Sequence, residues 1–215
     1  VLLTPHYYGR QFGPKQFLEK RLEAFERLRP HIPEGIKTRL GAEVHSTGVN
    51  VPDYEEHCSL AIEGTKYILI EFPFNNAWTG QMFEKLSDFI ADTGYTPIIA
   101  HIERYQEIWR KPALVKNLTD MGCLLQVNAR AFTDKRDKKL AFALLKHGFV
   151  HCIGSDAHDA TGRAPNMSET KSVFREAGLE VEWEHVQEMM RKVLADERVF
   201  VHTTRPIRKI FGVYF

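Results

Sequence analysis

The sequence predicts an α/β barrel of parallel strands joined by helices. Short apolar runs, typical of strands buried on both faces, alternate with segments whose apolar residues recur at helical spacing. Ligand-type polar residues follow at the strand ends, namely His6, Glu43, Glu71, His101, Asn128, Asp156 and His158. A closed barrel gathers the strand ends of the whole chain at one mouth, whereas an open sheet gathers only those near its switch point. This distribution favours a barrel, and the length of 215 residues favours a single domain over residues 1–215.

The first part of the chain supplies three predicted strands and one helix. In order, these are a strand at 1–4, a helix at 14–28, and strands at 36–44 and 66–72. The helix has Pro14 near its start and apolar residues on one face. The segment 66–72 carries Tyr-Ile-Leu-Ile at its centre and is the clearest buried strand of the chain.

The rest of the chain continues the alternation. The predicted elements are a helix at 79–92, a strand at 96–100, a helix at 112–121, a strand at 123–127, a helix at 134–147, a strand beginning at Val150, and helices at 168–177 and 184–195. Gly94, Gly122 and Gly148 stand just past three of these helices, where a left-handed residue ends a helix. Helical crossovers of this kind join parallel strands.

The segment 150–158 carries a D-x-H motif directly after a strand. In extended backbone, residues two apart point to the same side, so Asp156 and His158 should emerge together at the carboxyl end of the strand. A carboxylate and an imidazole directed at one point suit a divalent metal ion. An Asp–His hydrogen bond that caps the following helix explains the motif equally well, so the motif alone leaves both interpretations open.

Three histidines and three carboxylates at strand ends form the predicted metal site: His6, Glu43, Glu71, His101, Asp156 and His158. Singly, each has another explanation, because a glutamate can cap a helix and a lone histidine is more often a hydrogen-bonded core residue. Six residues at equivalent positions are better explained by a metal site. A mixed imidazole–carboxylate shell suits Mn²⁺, Zn²⁺ or Fe better than Mg²⁺ or Ca²⁺, and the set could hold two or more ions.

Two arginines follow the predicted ligands. Arg104 lies three residues after His101, and Arg163 lies five residues after His158. A planar guanidinium takes two phosphate oxygens at once, so these positions suit a phosphate ester. A surface arginine is the alternative for each of them.

Composition excludes several classes of function. The net charge is +1 and charged residues make up 27% of the chain, so no nucleic-acid partner is predicted. No apolar stretch approaches the ~18 residues of a membrane span. The three cysteines, Cys58, Cys123 and Cys152, are odd in number and far apart, which fits the cytoplasm.

Residues 205–215 mix basic and aromatic side chains. The favoured interpretation is a short segment that docks on the protein's own fold. A membrane surface or a partner subunit is the alternative.

Seven motifs give the chain a resemblance to PHP-type protein tyrosine phosphatases, which belong to the polymerase and histidinol phosphatase superfamily and to bacterial capsule and exopolysaccharide operons. The motifs are Thr-Pro-His at 4–6, Gly-Ala-Glu at 41–43, Leu-Ile-Glu-Phe at 69–72, Ile-Ala-His-Ile-Glu-Arg at 99–104, Met-Gly-Cys with Gln-Val-Asn at 121–128, Ser-Asp-Ala-His at 155–158 and Gly-Arg-Ala-Pro at 162–165.

This resemblance implies a distorted (β/α)7 TIM-like barrel with a trinuclear, typically manganese-dependent site. It implies that His6, Glu43, Glu71, His101, Asp156 and His158 are metal ligands and that Arg104 binds phosphate with help from Arg163. Family members begin with a strand that carries H-x-H and, shortly after it, an Asp, and neither stands in this sequence. We therefore expect the first βα unit to be missing, with fewer or more weakly held metal ions.

The resulting hypothesis is a cytoplasmic, manganese-dependent tyrosine phosphatase whose substrate is the phosphotyrosine tail of a bacterial tyrosine kinase. His158 is also a candidate proton donor to the leaving phenolate, and a homo-oligomer is compatible with the sequence. The alternatives are another PHP phosphoesterase, such as a histidinol phosphatase, a barrel amidohydrolase, or an inactive module that binds the kinase tail.

Overall fold

The computed structural model describes residues 1–11, 13–46, 60–201 and 205–215. The chain divides into two compact units. The first comprises Val1–Pro73 and Trp78–Pro97, and the second comprises Phe74–Ala77 and Ile98–Phe215. The single domain over residues 1–215 stays a prediction.

The first unit is built on short parallel strands. Its elements are β1 (Leu2–Leu3), β2 (His6–Tyr7), α1 (Pro14–Leu28), β3 (Arg39–Leu40), β4 (Glu43–His45), β5 (Tyr67–Glu71) and α2 (Gly80–Thr93). β1 pairs with β3, and β4 lies between β2 and β5. All of these pairings are parallel.

Local sequence signals explain both helices of this unit. The predicted helix at 14–28 is confirmed with the same bounds, and Pro14 occupies its first turn. In α2, the Thr79 side chain caps the helix by accepting a hydrogen bond from the Met82 N–H at 3.3 Å. Gly94 ends α2 in the left-handed conformation, with φ of 67°.

The predicted strand at 36–44 is two strands rather than one. β3 ends at Leu40, and β4 begins at Glu43 after Gly41 and Ala42. A Cβ at Gly41 would lie 3.2 Å from the Thr4 side chain, so the chain passes close to its neighbour at this break. β4 ends at His45, one residue further along the chain than predicted.

The second unit contains the other parallel strands and most of the helices. Its elements are β7 (Leu124–Asn128), β8 (Cys152–Gly154), α3 (Gln106–Arg110), α4 (Leu114–Asp120), α5 (Lys138–Lys146), α6 (Met167–Glu176), α7 (Glu180–Leu194), and a hairpin of β9 (Lys209–Ile210) and β10 (Val213–Tyr214). The boundary between the units passes through β6 (Thr96–Ile99), whose Ile98 and Ile99 pair with Leu124 and Leu125 of β7. β7 in turn pairs in parallel with β8.

Two 3₁₀ turns in the second unit place polar residues beyond the strands. Ile102–Arg104 follows β6, and Ala129–Phe132 follows β7. The spacing of apolar residues did not predict these turns, nor did it predict helix α3, which follows the first of them.

Apolar side chains fill the interior of the second unit. Phe132 and Phe174 pack edge to face at 4.8 Å between ring centroids, and Trp183 packs on Phe174 at 5.3 Å. Cys123 and Cys152 are buried free thiols, whereas Cys58 lies outside the described residues. No helix in the described part of the chain is long and apolar enough to cross a membrane.

Candidate functional site

The first unit presents four ligand-type side chains on one face of its sheet. The register pairs His6 with Glu43, and His45 with Glu71. Glu43 and His45 are two residues apart in β4, so strand alternation directs both to the same face as their partners. The intervening residues Tyr7, Val44 and Ile70 are buried. The pairing register of the strands and the alternation of their side chains together create this cluster, which no single strand could provide.

Three members of this cluster are close enough to bind one ion. One ligand atom from each of His6, Glu43 and Glu71 lies within 4.8 Å of the others. The His6 Nδ1 lies 3.7 Å from Glu43 Oε1 and 4.0 Å from Glu71 Oε2. Glu43 is 6% exposed and Glu71 is 5% exposed. Among residues 1–11, 13–46, 60–201 and 205–215, this is the one group of three or more such ligands.

His45 and Tyr8 lie next to the triad. The His45 Nδ1 lies 3.2 Å from Glu71 Oε2. The Tyr8 ring stacks on His6 at 5.5 Å and tilts against His45 at 5.3 Å. Burial raises the pKa of Tyr8, and the negative charges of Glu71 and Glu43 raise it further. The phenol therefore stays protonated beside the two carboxylates.

The donor set of the triad fits a divalent transition metal. Two nearly buried carboxylates concentrate negative charge in a region of low dielectric constant, where a cation is strongly favoured. One imidazole and two carboxylates form the mixed nitrogen–oxygen set that suits Mn²⁺, Fe or Zn²⁺.

In the second unit, two predicted site residues hold unusual backbone conformations. His101, directly after Ala100, has φ of 34°, and Asp156 has φ of 49°. Non-glycine residues rarely adopt such values, and they cluster at functional sites. The His101 N–H donates a hydrogen bond to Gln126 Oε1 at 2.5 Å, which holds this conformation.

The Asp156 carboxylate collects three partners. Arg163 donates a hydrogen bond to its Oδ2, and the Arg104 Nη1 lies 3.5 Å from the same oxygen. The Asn128 amide donates to this oxygen at 3.0 Å. The Arg104 guanidinium also lies 4.2 Å from the centre of the Phe74 ring, a cation–π contact that orients its fork.

His158 lies beside Asp156, but not through the extended backbone that the D-x-H motif predicted, because β8 ends at Gly154 and Asp156 has φ of 49°. Its Nδ1 is 3.0 Å from the Asp156 carbonyl oxygen and 3.6 Å from the carboxylate Oδ1. A neutral imidazole that donates from Nδ1 to a carbonyl keeps the lone pair of Nε2 available to a ligand.

The loop after His158 is organised by Asp159. Its Oδ1 accepts hydrogen bonds from the backbone N–H groups of Thr161 at 2.7 Å and Gly162 at 2.6 Å. These bonds, together with that from the Arg163 N–H, lower the pKa of Asp159. The ordered loop presents the Arg163 side chain to Asp156.

Glu103 is a buried acid that the sequence analysis did not select. It is 1% exposed, and its Oε2 accepts a hydrogen bond from the Asn128 N–H at 3.3 Å. Burial raises its pKa to about 7, although the neighbouring His101 works in the opposite direction. A carboxyl in this state is suited to proton exchange near neutral pH.

Glu103, Asp156 and Arg163 border a pocket of about 520 Å³ in the second unit. Four arginines and three acids line it: Arg104, Arg130, Arg136, Arg163, Glu103, Asp137 and Asp156. Such a pocket has the volume of a small-molecule site and a polar lining suited to a charged ester.

The structure thus gathers the predicted site residues of each unit separately. His6, Glu43 and Glu71 meet in the first unit. Arg104, Arg163 and His158 surround Asp156 in the second, while His101 is placed by Gln126. The catalytic and ligand roles of all these residues stay predictions. Tyr8, His45, Glu103 and Asp137 were not among the predicted site residues.

Parallel α/β architecture, with two buried carboxylates and a partly exposed imidazole close enough to bind one ion, defines an α/β protein with a candidate metal site. Comparison with known proteins then identifies the family. The family model described as "Capsular polysaccharide synthesis, CpsB/CapC" matches residues 1–195, and the chain belongs to this family.

Characterised relatives and a solved structure agree with the assignment. The chain is 30% identical to the tyrosine-protein phosphatase YwqE of Bacillus subtilis over all of its length and 86% of that protein. It is 28% identical to the tyrosine-protein phosphatase CpsB of Streptococcus pneumoniae, over 93% of this chain and 85% of the relative.

The fold also matches a crystal structure from a study of YwqE from B. subtilis and CpsB from S. pneumoniae, which describes both as metal-dependent tyrosine phosphatases. This match has a TM-score of 0.79 at 25% identity and covers 97% of this chain and 85% of the other. The match confirms the predicted PHP-type α/β fold.

Proposed function

We propose that this protein is a metal-dependent protein tyrosine phosphatase. The observation that carries the proposal is the convergence of Arg104 and Arg163 on Asp156 in a pocket of about 520 Å³. Membership of the CpsB/CapC family supports it, as do relatives named as tyrosine phosphatases.

Arg104 and Arg163 bind the phosphoryl group in this proposal. Both guanidinium groups lie on the same carboxylate oxygen of Asp156, so a phosphate dianion can share them or compete for them. The Phe74 ring holds the Arg104 fork from one side, which reduces the entropy lost when a substrate binds. The two cations then neutralise charge on the phosphoryl oxygens as the ester bond breaks.

In the first unit, His6, Glu43 and Glu71 would hold one divalent ion. In the second unit, His101, Asp156 and His158 would supply ligands for a further ion. Mn²⁺ is the proposed metal, with Zn²⁺ and Fe as alternatives, because the triad combines imidazole with carboxylate donors. A bound divalent metal would lower the pKa of water and withdraw charge from the phosphoryl oxygens.

His158 acts as a ligand more readily than as a proton donor. Its Nδ1 faces the Asp156 carbonyl, so the neutral ring carries its lone pair on Nε2. A phenolate is a moderately good leaving group and does not require a strong general acid. Glu103, with its pKa raised to about 7 by burial, is the alternative proton source at this pocket.

The proposed substrate is phosphotyrosine on the tail of a bacterial tyrosine kinase that controls capsule or exopolysaccharide synthesis. Support comes from the family, which is named for capsular polysaccharide synthesis. A cytoplasmic location accompanies this proposal, because such a tail is phosphorylated where ATP is available.

The test measures phosphate released from a phosphotyrosine peptide by the metal-free protein and after addition of Mn²⁺. Histidinol phosphate and an amide substrate are assayed in parallel. Release from the peptide that requires Mn²⁺ and exceeds release from histidinol phosphate is the expected result. Preferential hydrolysis of another substrate would replace the proposal with that activity. Tight peptide binding without hydrolysis, with metal bound, would replace it with a binding module.

A further inference from the structure

A small hairpin in the second unit carries an exposed apolar tip that the proposed function does not use. We call residues 208–215 the tail hairpin. Ile210 pairs with Val213 and Lys209 with Tyr214, in antiparallel register. The pair Arg208 and Phe215 closes the base, with N–H to carbonyl hydrogen bonds of 2.7 Å and 2.8 Å.

One face of the tail hairpin is fixed to the protein. The Lys209 Nζ donates a hydrogen bond to the Trp109 carbonyl at 2.7 Å, and it lies over the rings of Trp109 and Tyr214. Just before the hairpin, Ile207 is buried. These contacts confirm the predicted docking for Ile207 and Lys209, whereas the described part of the chain leaves the opposite face exposed.

The opposite face is apolar and open to solvent. Ile210 and Val213 are each 53% exposed, and Phe215 is 58% exposed. Arg208 lies two residues before Ile210, and Phe215 lies two residues after Val213. Strand alternation therefore places Arg208 and Phe215 on this same face. The face therefore combines three apolar side chains with one cation.

Phe211 occupies the tip and is fully exposed. Phe211 and Gly212 form the two-residue turn, with φ of 49° and 79°. Turns of this type favour Asn, Asp or Gly at the first position, because a left-handed conformation costs conformational energy for a bulky residue. A phenylalanine here weakens the turn and exposes a large ring to water, so folding of the hairpin does not explain its presence.

The segment that carries the tip is basic, and so is the helix packed against it. Residues 205–215 contain Arg205, Arg208 and Lys209 and no acidic residue. Helix α5 lies against β10 and carries Lys138, Lys139 and Lys146. An exposed apolar tip on a basic, acid-free segment matches a bilayer with anionic headgroups, which offers negative charge at its surface and apolar chains just below.

We propose that the tail hairpin inserts into the interface of anionic lipid bilayers, with Phe211 as its apolar wedge. A deformable lipid surface accepts a protruding ring without a preformed pocket, whereas a protein partner must supply one. The flanking cations direct the tip toward anionic headgroups, and the Lys209 anchor keeps it at a fixed position on the protein.

Co-sedimentation with vesicles tests this proposal on the full chain. The vesicles contain either phosphatidylcholine alone or phosphatidylcholine with about one-third phosphatidylglycerol. We expect binding to the anionic vesicles only, and weaker binding at higher salt. Phe211→Ser should lower the partition coefficient about tenfold, because burial of a phenylalanine ring is lost. The double variant R205Q/R208Q should lower it by a similar factor.

Val181→Ser is the matched control, since Val181 is 80% exposed on helix α7 and lies outside the tail hairpin. It should bind vesicles as the wild type does, and all variants should keep the wild-type midpoint of thermal unfolding. Absence of binding to anionic vesicles, or equal binding by wild type and Phe211→Ser, would overturn the proposal. Loss of self-association in Phe211→Ser, without vesicle binding by the wild type, would also overturn it and assign the tip to a second copy of the chain.

Discussion

Arg104 stands on the 3₁₀ turn after β6, where Phe74 and Asp156 hold its guanidinium. Truncation of this side chain should leave the phosphoryl group without one of its two guanidinium partners. We therefore expect Arg104→Ala to lower kcat/KM for a phosphotyrosine peptide about 100-fold. The metal content of the purified protein, measured by mass spectrometry, should not change.

Arg110→Ala provides the control for this prediction. Arg110 is an exposed arginine in helix α3 and does not line the pocket. It should keep wild-type turnover, while Arg104→Lys should recover only part of it because an ammonium lacks the planar fork. Unchanged turnover in Arg104→Ala would contradict the role in phosphate binding.

The single substitution Glu71→Gln tests the metal triad. The substitution keeps the shape of the side chain but removes one of two nearly buried negative charges. Affinity for Mn²⁺ should fall at least about tenfold. Since a bound metal stabilises the folded state, Mn²⁺ should raise the thermal unfolding midpoint of the wild type much more than that of the variant.

The metal-free form of Glu71→Gln should be at least as stable as the wild type, because repulsion between the carboxylates is relieved. Glu84→Gln, at an exposed position of helix α2, should respond to Mn²⁺ as the wild type does. Equal midpoint shifts in wild type and Glu71→Gln would count against the triad as a metal site.

Some site residues carry a local signal in the sequence, and others do not. The D-x-H spacing singled out Asp156 and His158, but it assumed extended backbone, whereas Asp156 lies two residues beyond β8 with φ of 49°. Glu103 could not be predicted, since the fold, and no local pattern, buries it and brings it to the Asn128 N–H, 25 residues away. Nor could His45, since the predicted strand stopped at Val44 and the structure ends β4 one residue later, at His45.

At the scale of the elements, the Gln126 side chain contacts residues of, or next to, the three neighbouring strands β6, β7 and β8. Gln126 in β7 accepts a hydrogen bond from the His101 N–H beyond β6 and donates one to Asn128 Oδ1 at 3.0 Å. In β8, a Cβ at Gly154 would lie 2.9 Å from Gln126 Nε2. The glycine therefore leaves space for the amide that positions His101.

Gly154→Ala should displace this amide and break at least one of its hydrogen bonds. We expect a loss of about 1–2 kcal/mol in the free energy of unfolding, measured with urea, because buried polar groups lose their partners. Gly80→Ala, at the start of helix α2 with no atom near the added methyl, should be neutral or slightly stabilising. Equal stability of both variants would show that the Gln126 amide can move freely.

The elements predicted best are those whose signals are local. The helix at 14–28 has its proline start and its apolar face within one segment, and its bounds were predicted correctly. Helix α3 was missed because its five residues are too few to show a periodic pattern. The tail hairpin was missed because its turn has Phe211 where turn chemistry favours Asn or Gly.

For the whole molecule, alternation of strands and helices predicted the fold that the structural match confirms. The same reasoning could not separate the chain into two units, since that division depends on contacts between distant segments. Stability, unlike fold, also depends on groups whose ionisation changes when the chain folds.

His151 is the clearest group of this kind. Its ring is 2% exposed, and its Nδ1 accepts a hydrogen bond from the Leu125 N–H at 3.0 Å. Burial lowers the pKa of His151 to about 4, and the nearby His185 contributes in the same direction. The folded protein therefore keeps this imidazole neutral at pH values where an unfolded chain would protonate it.

Because the folded pKa lies below the unfolded value of about 6.5, the unfolded state binds more protons as the pH falls. The stability due to neutral His151 should be complete above pH 6.5 and decline toward pH 4. Between pH 7.5 and pH 5 the expected loss is about 2 kcal/mol. His151→Asn keeps an acceptor for the Leu125 N–H but cannot titrate. Urea unfolding across this range should give a flatter pH dependence for the variant, whatever its absolute stability, and parallel curves would show that His151 does not govern acid sensitivity.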